Sequence, residues 1–141
     1  MRKNIYFVVS LLTIVSFICM SARITGYDYQ STDKGIGPVK NVELGPINKK
    51  MADDGKAIFT SKCIICHELD QKKIGPPLRN TTKVRAPEFI MNLLLNTVQM
   101  QKENSTIKDL IKKYNNVPMS DPSLNQTQAR SVLEYMRSVS K

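Results

Sequence analysis

A single histidine stands in this 141-residue chain, and it closes the run Cys63-Ile64-Ile65-Cys66-His67. One imidazole excludes every site that draws two from the same chain, such as a bis-histidine haem, an H-E-x-x-H zinc site or a distal-histidine peroxidase. Three cysteines cannot build a multi-disulfide scaffold. The length suits one compact domain with appendages. With 41% apolar and 23% charged residues, the chain is neither a disordered polyelectrolyte nor a multi-span membrane protein.

The C-x-x-C-H spacing carries specific chemistry. Each thiol can add across a vinyl group of haem, and the adjacent histidine then reaches the iron from one face, so porphyrin and proximal ligand are held on a short leash. Three rival readings use the same residues. A structural zinc site needs four ligands, and Cys63, Cys66 and His67 leave it one short. A thioredoxin-like C-x-x-C expects a strand before it in a βαβ setting, whereas the residues before Cys63 read as helical. A plain buried cysteine pair is the third.

The N-terminus reads as an address. Arg2 and Lys3 precede an apolar run over residues 5–20, interrupted only by Ser10, Thr13 and Ser16, and small residues follow. That run is shorter than the roughly 20 residues of a comfortable span. A cleaved signal over 1–22 is the first expectation and a retained N-terminal anchor the second. A lipid-modified Cys19 is the third, with a bulky isoleucine where such sites favour a small residue. Either way the protein is expected to be exported to the periplasm.

Residues 23–50 are rich in glycine and proline and lack helical or strand period. They read equally as a plain linker or as an extended segment lying on the domain through Tyr27, Ile36, Val39, Leu44 and Ile47. From residue 51 to 141 the pattern is helical. Helices are expected over 51–64, with Ala57, Ile58 and Phe59 on one face and Asp53 and Asp54 in the first turn, and over 87–98, opened by Pro87. Others are expected over 105–115 and over 127–139, where Asn125 and Gln128 resemble a capping box. No strand alternation is visible, so the fold class is all-α. About 90 residues bury limited apolar area, and long loops at 67–86 and 116–124 separate the helices, so something other than side chains is expected at the centre.

Over residues 51–140 the chain resembles class I, mono-haem c-type cytochromes. Gly55 and Phe59 look like that family's N-terminal helix signature, with Tyr135 and Met136 as the partners on its C-terminal helix. Ile74-Gly75-Pro76-Pro77-Leu78 looks like its Gly-Pro-x-Leu segment. The likeness implies a small helical domain wrapped around one covalently attached haem c, anchored by Cys63 and Cys66, with His67 on the iron. It also implies that the Pro76 carbonyl accepts the other ring N–H of His67.

With no second histidine, the sixth ligand is a methionine, a weaker protein ligand or an open position. Of seven methionines, Met1 and Met20 belong to the address, Met51 opens a helix, and Met91 and Met136 sit on helices where packing explains them. Met119, in Val117-Pro118-Met119-Ser120, and Met100, at a helix end, remain. The resemblance favours Met119, since the family carries its distal methionine in a loop just before the last helix. The family's frequent Met-Pro order is reversed here to Pro118-Met119.

His/Met ligation would make the site an electron relay, with no enzymatic chemistry expected. A fixed haem subunit of a larger respiratory oxidoreductase, docked through 23–50, and a five-coordinate gas-binding haem protein stay open. Gas-binding four-helix cytochromes usually carry C-x-x-C-H near the C-terminus, whereas here it precedes the chain's midpoint. Charge hints at partners. Residues 71–87 hold Lys72, Lys73, Arg79, Lys83 and Arg85 and no acid, and Lys62 adjoins Cys63. Such a rim would steer an acidic redox protein, or the charges are simply a solvated surface. Nucleic acid is not an expected partner.

Overall fold

The computed structural model describes residues 31–141; the expected export segment, Cys19 and Tyr27 lie outside them. Six helices occur among the described residues, and no strand: α1 (Lys49–Lys62), α2 (Thr81–Val84), α3 (Pro87–Leu95), α4 (Thr97–Glu103), α5 (Ser105–Lys113) and α6 (Gln126–Val139). None is long and apolar enough to cross a membrane.

The frame is the crossing of α1 and α6. Asn48 caps α1 by accepting the Met51 amide at 3.0 Å. Asn125 and Gln128 form the full capping box that starts α6, at 2.9 and 3.0 Å. Gly55 lets the helices touch, because a Cβ there would run into the Ser131 carbonyl. One turn on, Phe59 meets the Tyr135 ring at 5.2 Å, tilted by 56°. The buried face of α1 is Ala52, Gly55 and Phe59, with Ile58 at its edge. Ala57, expected on that face, is exposed. Asp53 and Asp54 fall one turn deeper than expected, because the helix begins at Lys49.

The segment over 87–98 is two helices rather than one. They break at Asn96, which adopts φ −142°, ψ 45° and donates its side-chain carboxamide to the Ile36 carbonyl at 3.0 Å. Thr97 then opens α4 with its hydroxyl turned back to the Leu93 carbonyl at 2.7 Å. The main apolar core joins α3 to α6 through Ile90, Met91, Leu94, Val132, Leu133 and Met136. A second cluster of Ala86, Phe89, Met100 and Ile107 lies under α4 and α5.

Residues 31–48 form a strap across these helices. Val39 is buried, whereas Leu44 and Ile47 stay largely exposed. Polar side chains of the helices bind the strap's backbone. Asn92, only 1% exposed, donates to the Lys34 and Val39 carbonyls and accepts the Val39 amide, each at 2.9 Å. Asn104 donates to Asp33 at 2.9 Å, and Glu88 accepts the Val42 amide at 3.1 Å. Glu134, fully buried on α6, accepts the Asn48 amide at 2.8 Å and pairs with Arg130 and Arg137. Burial alone would raise the Glu134 carboxyl, but the Asn48 amide and the two guanidiniums hold it below the usual carboxylate range.

Candidate functional site

Cys63 sits at the C-cap of α1, its amide bonded to the Phe59 carbonyl, so the motif begins where the helix unwinds. The chain then turns tightly, with the Cys66 and His67 amides returning to the Cys63 carbonyl at 3.1 and 2.9 Å. This turn sets Cys63 and Cys66 close in the chain as free thiols, the first buried and the second half-buried. Burial pushes the Cys63 thiol above its ordinary value, with Lys62 pulling the other way.

The His67 ring is held from two sides. Its Nδ1 lies 2.9 Å from the Pro76 carbonyl, which makes Nδ1 the protonated nitrogen when it donates there. Gly75 lies against the ring, so that a Cβ would overlap it. Nε2 has no hydrogen-bond partner among the described residues and is the nitrogen left for a metal. The loop around it is locked by main-chain bonds: the Gly75 amide to the Cys66 carbonyl at 2.8 Å, Leu78 to Glu68 at 3.0 Å and Arg79 to Leu69 at 2.9 Å.

Met119 is half-buried in the loop between α5 and α6 and packs on the main core, as Leu78 does. Met100 lies inside α4, not past a helix end, and is fully buried in the second cluster. Its sulfur accepts the Ile36 amide at 3.0 Å, so its polar atom already has a structural partner. Met91 and Met136 are core residues, as their helix positions suggest. Sequence reasoning did not single out Gln101. Its carboxamide donates to the Met119 carbonyl and accepts the Met119 amide, both at 2.9 Å.

The basic run divides. Arg79 donates to Asp70 at 2.6 Å and to the Val139 carbonyl at 2.8 Å, tying this loop to the end of α6. Arg85 lies over the Phe89 ring, 5.4 Å from its centre. Lys62, Lys72, Lys73 and Lys83 are exposed; Lys72 also covers Tyr114, and Lys73 reaches the Ile64 carbonyl. Ile64, Ile65, Ile74 and Val117 are exposed apolar side chains in the same loops.

These residues fit a haem. Two unpaired thiols, an imidazole with one nitrogen oriented and the other unpartnered, and exposed apolar side chains beside them match its vinyl groups, iron and flat apolar rim. The zinc reading finds no support, since no group of three or more His, Cys, Asp or Glu among the described residues could hold a metal ion alone. Helices around a C-x-x-C-H with an oriented histidine define a c-type haem domain. The cytochrome c family model matches residues 52–140, and the chain belongs to that family. It therefore carries covalently attached haem c, and electron transfer is the family's general activity.

Solved structures agree. Cytochrome c from Rhodothermus marinus is 43% identical with a TM-score of 0.70, over 73% of this chain and 89% of that one. An engineered form of it, Rma TDE, is 42% identical with a TM-score of 0.69, over 73% and 90%. The same engineered protein bound to a carbene intermediate gives 42% and 0.68, over 73% and 89%. No curated protein matches the chain.

Proposed function

We propose that this protein is a periplasmic one-electron carrier in a respiratory chain, with Cys63 and Cys66 as thioether anchors, His67 as proximal ligand and Met119 as distal ligand. Haem supplies the Fe(II)/Fe(III) couple, and the protein's residues attach, orient and seal it. Cys63 and Cys66 would hold the haem through two thioethers, each S–H adding across one vinyl C=C with no net oxidation.

The observation that carries this reading is the 2.9 Å contact of His67 Nδ1 with Pro76 O. It fixes the ring's tautomer and leaves Nε2 as the basic nitrogen, while the missing side chain at Gly75 leaves room for the ring to lie there. Met119 is preferred to Met100 because the Met100 sulfur is buried and occupied by the Ile36 amide. A thioether ligand favours Fe(II), suiting a carrier whose coordination stays the same on reduction.

The strap favours a free carrier over a docked subunit, because Asp33, Lys34, Ile36, Val39 and Val42 already bond to helices of their own domain. Exposed Lys62, Lys72, Lys73 and Lys83 suit an acidic redox partner. An exported location follows from the family's usual habit and from the sequence of residues 1–22.

The test is a pyridine-haemochrome spectrum of the wild-type protein together with the optical spectrum of Met119→Ala. Covalent haem c should be found, and the long-wavelength Met–Fe(III) band should vanish in the variant. Haem that extracts into acidified organic solvent would defeat the attachment reading. A band that survives Met119→Ala would defeat the distal assignment. Strong CO binding by the reduced wild type at neutral pH would favour the gas-binding alternative.

A further inference from the structure

We infer that Gln101 is the positioning residue for the distal ligand, and that the N-terminal strap backs it through Met100. The inference rests on Met119 as distal methionine and extends that reading.

Among the described residues, 118–124 make no main-chain hydrogen bond to main chain. Asn115, Asn116 and Ser123 take positive φ, at 62°, 58° and 50°, so the loop turns sharply on either side of Met119 without a ladder of its own. The Gln101 carboxamide supplies what the loop lacks. Its Nε2 donates to the Met119 carbonyl and its Oε1 accepts the Met119 amide, both at 2.9 Å, so one planar group holds both polar atoms of a single residue's backbone. Two bonds to one residue fix its orientation as well as its place.

A clamp positions only if its own base is fixed. Met100, the residue before Gln101, is wholly buried, and its sulfur receives the Ile36 amide at 3.0 Å. Asn96 at the start of α4 holds the Ile36 carbonyl, and Asn104 at its end holds Asp33. The short helix α4 is therefore pinned to the strap through one set of side chains and to the Met119 loop through Gln101.

A thioether is a weak ligand, and from a loosely held loop it would leave the iron more readily. The apparent CO affinity of the reduced protein scales with the fraction of molecules whose distal position is open. Losing two hydrogen bonds should raise that fraction by on the order of tenfold.

The experiment compares wild type, Met119→Ala, Gln101→Leu and Gln101→Glu as holoproteins. The readouts are the Met–Fe(III) band, CO affinity of the ferrous form, hydrogen exchange of the Met119 amide and the urea midpoint. Gln101→Leu should weaken the band, raise CO affinity about tenfold and expose the Met119 amide to exchange. Gln101→Glu, which keeps the acceptor for that amide but loses the donor to its carbonyl, should fall between. A lower urea midpoint with the band and CO affinity unchanged would make Gln101 merely structural and overturn the inference. If Met119→Ala keeps the band, the ligand assignment fails instead; if it loses the band while Gln101→Leu does not, only the clamp fails.

Discussion

The two loops that flank the site are held in opposite ways. Residues 67–79 are tied by main chain to main chain, at Gly75–Cys66, Leu78–Glu68 and Arg79–Leu69, with Pro76 O on the His67 ring. The Met119 loop has no such bonds over 118–124 and hangs on the Gln101 side chain. Main-chain bonds survive most substitutions, whereas a side-chain clamp can be deleted by one. The loop around His67 is thus robust to mutation and the Met119 loop is tunable, a contrast that suits the ligand roles proposed above.

The largest effect should come from loosening the frame that carries both loops. Glu134 joins the start of α1, ahead of Cys63, to α6, which follows the Met119 loop. Glu134→Leu should cost about 4 kcal/mol, since it breaks a buried carboxylate's two ion pairs and leaves the Asn48 amide without its acceptor, although Arg137 keeps the Gly45 carbonyl, and denaturant unfolding should show it. The wild-type acid limb has the same origin. Burial raises the Glu134 and Glu88 carboxyls, yet hydrogen bonds and neighbouring cations hold both below their ordinary values. Their stabilisation is full above the unfolded carboxylate pKa and is lost as pH falls through the depressed folded values. Thermal unfolding of Glu134→Gln should therefore fall less steeply with acid than that of wild type; equal slopes would contradict this account.

Gly75→Val attacks the proximal side at the one point where the main-chain ties depend on a side chain being absent. Forcing carbon into the His67 ring should cost about 3 kcal/mol and perturb histidine ligation more than the Met–Fe band. Asn115→Ala probes the distal loop, removing a residue type that tolerates the left-handed region, and should cost about 1 kcal/mol. Its spectrum should show the reverse pattern, with Met–Fe absorption weakened and histidine ligation intact. If both variants disturbed both ligands alike, the contrast between the loops would be lost. Asp70→Asn should be the mildest, since Asp70 is exposed and Arg79 keeps the Val139 carbonyl; melting should hardly move.

The parts of the molecule that depend on periodicity or local chemistry were legible in the sequence. The capping box of Asn125 and Gln128, the Gly55–Phe59 face against Tyr135 and the C-x-x-C-H turn each involve residues a few positions apart or a family pattern. The Pro76 acceptor came from resemblance, and the structure places that carbonyl at the ring. What stayed hidden were lone polar side chains working at long range. Asn92, Gln101 and Glu134 look like ordinary helix residues, and their partners lie 53, 18 and 86 positions away. The break at Asn96 was equally invisible, because no glycine or proline marks it and the side chain there bonds the Ile36 carbonyl on the strap. Met100 read as a loose methionine for the same reason: its partner amide lies 64 residues upstream.

The strap also decides how the domain bears load. Traction applied to the chain at residue 31 enters at Asp33, on the corner where α4 meets α5, rather than at the first helix. It would be resisted in turn at Asn104, Met100, Asn96, Asn92 and Glu88 before reaching Asn48 and α1. Cys63 lies at the far end of that helix, so a tether could swing or strain the domain while the haem attachment stays out of the line of force.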